Sequence, residues 1–299
     1  MKYKTDYHVH PNYSIDASPV EIKEYCNKAL ELGLAEICFT THVELEPERN
    51  DIDNFVILAG QKVSVFNEFW LDKYFEEIVE AQDEYAGTLK VKAGIEIGYC
   101  PGVEKTIEKM LNNYPFDFVL GAIHCLRHIA ISSMKESPVY YESRDLATLR
   151  QDYFETLEEA VATGLFDCIA HVDLYSRYGF KHYGPDIHSI HQGAIEPIFE
   201  KMARKGMGLE INTSSLRRGL KEFHPSKEIV QLAAESGIEV FTVGSDAHSL
   251  EQLGDHIDEA LELLKKLNLT NHGFTKRKAY PIEAGYLPLQ AASGSESGK

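Results

Sequence analysis

The sequence has no apolar run long enough to cross a bilayer. Its hydrophobic stretches are short and broken by charge, below the ~18 to 20 residues that a membrane-spanning helix needs. It also lacks a C-x-x-C pair. The five cysteines (Cys26, Cys38, Cys100, Cys125 and Cys168) are scattered and odd in number, which argues for reduced, mostly buried thiols rather than a disulfide framework. Positive charge is scarce too, with 30 Lys and Arg against 47 Asp and Glu and a formal net charge of -17. That balance disfavours a general nucleic-acid binder, because phosphate backbones attract basic surfaces. It looks equally unsuited to a small anionic phosphate, yet two or three bound divalent cations would reverse the field locally. No basic region leads into an apolar one at the N-terminus, so a cytoplasmic protein with no secretory signal and no membrane partner is expected.

What is present is enough for a sizeable core: 299 residues, 43% hydrophobic and 26% charged. Seven short β-branched or aromatic runs stand out, at 5–10, 36–42, 90–99, 116–125, 167–174, 208–213 and 239–248. Helix-like periodicity falls between most of them, at 69–85, 145–164, 190–205, 226–236 and 250–267. Such alternation predicts an α/β protein with a parallel sheet, open or closed into a barrel. The first helix is marked by Ser18 as N-cap, Pro19 at its first position, Glu21 completing a capping box and Gly33 as terminator, with Ile22, Cys26, Ala29 and Leu30 as its buried face. The expected layout is one domain over residues 1–290, an inserted loop at about 44–70 of the kind that often forms a lid, and a disordered low-complexity tail at 291–299.

Ligand-type residues fall at the ends of these runs. His8 and His10 close the first and His42 the second. Glu96 lies near the end of the third, His124 near the end of the fourth and His171 in the fifth, while Asp246 and His248 end the seventh. In a barrel of parallel strands these positions meet at the C-terminal rim, where such enzymes keep their chemistry. In His8-Val9-His10 and Asp246-Ala247-His248 the paired residues are two apart, on one face of a strand and roughly 6 to 7 Å apart. Imidazole with carboxylate suits zinc, manganese or iron. A lone histidine such as His42 or His171 is usually a hydrogen-bonded structural residue. Eight ligand types at the ends of hydrophobic runs are not obtained by accident.

Together these residues resemble the polymerase-and-histidinol-phosphatase (PHP) superfamily. The matching pieces are Asp6-Tyr7-His8-Val9-His10, Thr40-Thr41-His42, Gly94-Ile95-Glu96, Gly121-Ala122-Ile123-His124, Ala170-His171-Val172-Asp173 and Gly244-Ser245-Asp246-Ala247-His248. The resemblance implies a distorted seven-stranded (β/α)7 TIM-like barrel with two to three divalent ions at the rim. It also implies a ninth ligand after the first strand, a place that Asp16 fits. The segments 210–213 and 171–177 resemble the histidinol-phosphate phosphatases within that superfamily. The implied activity is hydrolysis of a phosphate monoester on a small phosphorylated metabolite, with a metal-bridging hydroxide attacking phosphorus in line.

Arg177 and Arg217 are then expected to clamp the phosphate, since guanidinium offers paired donors; Arg127 is a third candidate and Arg218 a fourth. Asp246, or a rim histidine, would deliver the leaving-group proton, and Glu210 or Asp173 would meet the substrate ammonium. Three rivals remain open at this point. One is another phosphoesterase of the same architecture, such as a phosphodiesterase, a nucleotide or sugar phosphatase, or a phosphotyrosine phosphatase. The others are an amidohydrolase, for which neither an eighth strand nor a lysine at the fourth run is found, and a non-catalytic metal-binding module.

Overall fold

Each of the seven predicted runs becomes a strand, and the seven pair in chain order in one parallel sheet. They are β1 (Lys4–Val9), β2 (Leu34–Glu44), β3 (Lys90–Gly98), β4 (Phe118–Ala122), β5 (Cys168–Ile169), β6 (Gly208–Asn212) and β7 (Phe241–Gly244). The computed structural model describes residues 3–282; the predicted tail at 291–299 and the expected domain end at 290 lie outside them. The strands are buried on both faces, as parallel strands flanked by helices must be, and so read as nearly continuous apolar runs. The first and last strands meet without a full ladder. Val9 bridges Ala247, His10 N–H donates to the Ala247 carbonyl at 2.9 Å, and Ala247 N–H donates to that of His8 at 3.2 Å. The result is a distorted seven-stranded barrel.

One long helix lies in each crossover and one follows β7: α1 (Ile22–Glu31), α2 (Phe69–Glu84), α3 (Glu104–Asn113), α4 (Leu146–Thr163), α5 (Ile195–Lys205), α6 (Lys227–Glu235) and α7 (Ile257–Lys266). Their apolar stripes pack on the outside of the sheet in one continuous core, where each fully buried aliphatic or aromatic side chain contributes about 1.5 to 3 kcal/mol. The ends follow from local chemistry. Asp145 caps α4 by accepting from Thr148 N–H at 2.8 Å, and Gly164 ends it at φ 70°. At the opposite end of the barrel, the hairpin of His272–Thr275 and Lys278–Pro281 lies across the entries to β4 and β5. There Arg277 N–H donates to the Asp117 carbonyl at 2.9 Å and its guanidinium pairs with Asp167 at 3.0 Å.

Several expectations shift. The N-cap of α1 is Glu21, not Ser18. Ser18 N–H donates to the His248 carbonyl at 2.8 Å, the Val20 carbonyl accepts from Asn12 at 2.9 Å, and Val20 N–H closes a tight turn on the Ser18 carbonyl at 2.7 Å, so the helix starts later. Tyr25 joins its buried face while Leu30 is exposed. Helix α3 was not predicted, because Ile107 and Met110 are its only buried residues. The fifth strand shrinks to two residues because the chain turns sharply at His171, whose φ is 26°. The 44–70 segment is not a bare loop. It carries a 3-10 turn (Pro47–Arg49) and a hairpin (Phe55–Leu58 with Gln61–Ser64). Two contacts tie it down: Arg49 pairs with Glu136 at 2.6 Å, and Ile57 N–H donates to the Tyr13 carbonyl at 2.8 Å.

Candidate metal centre

The strand ends deliver side chains to one rim because the register aligns them. His42 on β2 stands opposite Glu96 on β3. Glu96 is buried and central. Its Oε2 lies 3.4 Å from His8 Nε2 and 3.7 Å from His10 Nε2, and its Oε1 lies 3.0 Å from His171 Nε2 and 3.4 Å from His124 Nε2. The carboxylate thus stands between two sets of imidazoles. Asp246 Oδ1 approaches His10 Nε2 at 3.2 Å and His8 Nε2 at 3.8 Å. Asp16 Oδ2 lies 3.2 Å from both His42 Nδ1 and His248 Nε2. All nine predicted ligands (His8, His10, Asp16, His42, Glu96, His124, His171, Asp246 and His248) therefore meet.

Ligand atoms gather within 4.8 Å of one another in four groups: His8–His10–Asp246, His8–Glu96–His171, His10–Asp16–His248 and His42–Glu44–His124. Two observations say that the groups containing His8 fit divalent ions. His8 Nδ1 is held by Glu210 Oε1 at 2.5 Å, which fixes the tautomer and leaves Nε2 as the free lone pair. That Nε2, and also Nδ1 of His171, is buried without a hydrogen-bond partner, a costly arrangement unless something else fills it.

The electrostatics agree. Burial alone would raise the Asp246 carboxyl, but His8, a hydrogen bond from His10, and His248 hold it well below the usual carboxylate range. It is a good ligand and a poor proton donor. Glu96 is held low in the same way by His8 and His124.

The turn that presents Asp246 is strained, with φ 55° at that residue, and two groups restrain it. Asp6 accepts from Ser245 N–H at 2.9 Å and from its hydroxyl at 2.5 Å. Arg217 donates to the carbonyls of Ser245 and Asp246 at 2.6 and 2.5 Å.

That last contact revises the expected clamp. Arg217 spends its donors on backbone, whereas Arg177 and Arg218 line the cleft of about 110 Å³ beside Asp16, Glu96, His171 and Asp246. Arg177 Nε is buried with no partner. Arg127 is not at the site: it occupies a two-residue hairpin turn with His128, both at positive φ, and pairs with Asp152 at 2.7 Å. Glu210, expected to touch substrate, is spent on His8 Nδ1, on His171 N–H at 3.0 Å and on Asn212 at 3.1 Å. Asp173 is likewise spent, on His224 Nδ1 at 2.6 Å and Ser226 N–H at 3.0 Å. Sequence reasoning missed Glu44. Its signal was available, because it stands two residues after His42 on the same strand face.

The PHP domain model matches residues 6–214, more than half of the chain. The chain belongs to the PHP family. Its relatives include the "Probable histidinol-phosphatase" of Deinococcus radiodurans, 34% identical over 87% of this chain and 92% of that one. The histidinol-phosphatase of Lactococcus lactis is 25% identical over 88% of this chain and 91% of its own length. Among solved structures, the histidinol phosphate phosphatase of Lactococcus lactis in complex with zinc, L-histidinol and phosphate superposes with a TM-score of 0.75 at 24% identity, covering 93% of this chain and 98% of that one. Among the described residues the barrel has seven strands, with His124 just beyond the fourth, which does not fit the eight-stranded amidohydrolase reading.

Proposed function

We propose that this PHP-family protein is a metal-dependent phosphomonoesterase that hydrolyses L-histidinol phosphate to L-histidinol and phosphate, a step of histidine biosynthesis. The observation that carries the reading is the buried, unpartnered Arg177 Nε beside a rim of nine ligand-type residues. A ring that gathers cations, with a guanidinium at its edge that rests on the Tyr178 ring and keeps Nε unpaired, is built for a phosphate. The named relatives supply the substrate.

Two or three divalent ions, zinc, manganese or iron, would be held by His8, His10, Asp16, His42, Glu96, His124, His171, Asp246 and His248. When bound, such ions polarise phosphoryl oxygens and acidify water. The protein's own groups do the rest. Arg177 and Arg218 hold the phosphate oxygens that face away from the ring; burial and then the Arg218 charge push the Arg177 guanidinium down from its usual value, which an arriving dianion would reverse. Glu96 places its two oxygens toward different imidazoles, and Glu210 keeps His8 in one tautomer. With Asp246 ionised, the proton for the leaving alkoxide comes from another rim group. The partner is a small phosphorylated metabolite. Among the described residues no helix is long and apolar enough to cross a membrane.

The test is turnover of L-histidinol phosphate by purified protein of measured metal content, against a nucleotide monoester, a phosphodiester and a phosphotyrosine peptide. Preference for histidinol phosphate, lost on chelation and restored by metal, supports the reading. Full activity after chelation sinks the metal mechanism, and preference for another ester sinks the substrate.

A further inference from the structure

Glu44 closes β2, buried at 5% exposure, and its partners are two imidazoles rather than a lysine or arginine. One oxygen, Oε1, lies 2.6 Å from His124 Nδ1 and 2.8 Å from His42 Nε2. The opposite nitrogens of the same rings face the centre: His124 Nε2 is 3.4 Å from Glu96 Oε1, and His42 Nδ1 is 3.2 Å from Asp16 Oδ2. An imidazole that donates from one nitrogen presents a lone pair at the other.

The seat for this carboxylate is made by the next strand. Glu44 stands opposite Gly98, where a Cβ would overlap both oxygens and the carboxyl carbon of Glu44. Glu210 has a matching seat: a Cβ on Gly244 would collide with Glu210 Oε1 and His8 Cβ. The same device occurs on both sides of the ring, a carboxylate over a glycine holding the outer nitrogen of a ligand histidine.

We infer that Glu44 is a positioning residue whose single oxygen fixes the tautomers of His42 and His124 together, and so couples the ion beside Asp16 to the ion beside Glu96. The inference rests on the metal-centre reading above. The alternative is that Glu44 is itself a ligand of one ion.

Metal affinity, read by chelator competition with ion counting, separates these. Glu44→Ala should weaken two ions together by ~10- to 100-fold, the range for lost outer partners of ligand histidines, and leave the ion of His8, His10 and Asp246 in place. Glu44→Gln keeps one acceptor oxygen but loses the charge that strengthens both bonds, and should weaken the same two ions to a smaller extent. Gly98→Ala should reproduce Glu44→Ala, and the double variant should be no weaker than either, because both remove one interaction.

Wild-type affinity in Glu44→Ala, loss of one ion only, or additive losses in the double variant would each overturn the inference. If the alanine variants do not fold, the near-isosteric Glu44→Gln carries the test alone, with unchanged affinity as the overturning result. A wild-type protein that holds no ion would instead overturn the metal-centre reading itself, which is a different outcome in the same assay.

Discussion

Replacing Glu210 with glutamine preserves its shape and removes its logic. Glu210 is an acceptor at both oxygens: Oε1 takes His8 Nδ1–H at 2.5 Å, and Oε2 takes His171 N–H at 3.0 Å and the Asn212 amide at 3.1 Å. A glutamine has one acceptor oxygen and an NH2 that only donates. If the NH2 faces His171 N–H, two donors collide around a buried backbone group. If it faces His8, the imidazole must move its proton to Nε2, the nitrogen 3.4 Å from Glu96, and that nitrogen can no longer bind a cation.

The first orientation leaves buried donors unsatisfied, a cost of about 1 to 3 kcal/mol, and the second blocks the nitrogen that faces the centre. Loss of a comparable outer partner weakens metal binding by ~10- to 100-fold. Glu210→Gln should therefore bind metal at least tenfold more weakly in chelator competition, with kcat/KM partly restored by excess metal. Had Glu210 contacted the substrate ammonium, as the sequence suggested, KM would rise with metal content untouched. Wild-type metal affinity together with a raised KM would refute the reasoning.

Arg177→Ala should lower kcat/KM on histidinol phosphate by roughly ten- to 150-fold, the worth of a charge-assisted contact, while Arg127→Ala leaves it within about twofold because that side chain serves only Asp152. Steady-state kinetics check both, and equal effects would undo the assignment. Arg217→Ala frees the strained turn at Asp246 and should reduce metal content rather than raise KM, as ion counting would reveal.

The chelated protein should also have a pH optimum of stability. Burial lowers the His124 pKa, but Glu96 and Glu44 push it up to about 9 from 6.5, so its contribution is full below 6.5 and lost as pH rises through about 9. Burial raises the Glu44 pKa, yet His124 and His42 bring it down to about 2 from 4.5, so its contribution is lost as pH falls below 4.5. Thermal melts should peak between these limits. A chelated protein whose Tm climbs steadily from pH 6.5 to 9 would contradict this.

The strands and the gathering of ligand-type residues were legible because a parallel strand buried on both faces must be apolar, which leaves polar side chains conspicuous at its end. His8, Glu96 and Asp246 stood out for that reason. What the sequence hid was direction and competition. Arg217 and Arg218 are neighbours with the same chemistry, and only the turn at Ser245 decides which one spends its donors on backbone. Glu210 and Asp173 look like free carboxylates until the chain brings His8 and His224 to them. Ser18 is a good cap residue by composition, but His248, 230 positions away, takes its N–H. Glu44 was overlooked because it was taken as the start of an insertion rather than the end of a strand.

The seam between β1 and β7 is thin, a single bridge at Val9 and Ala247, and it runs directly beneath His8, His10, Asp246 and His248. Cations gripped there would act as a clasp on the two ends of the barrel. Joining segments some 240 residues apart closes a very large ring, whose entropy depends only weakly on its length. Once the clasp is set, opening the barrel would mean releasing the ions first. Loading the enzyme and locking its outermost staves would then be one event.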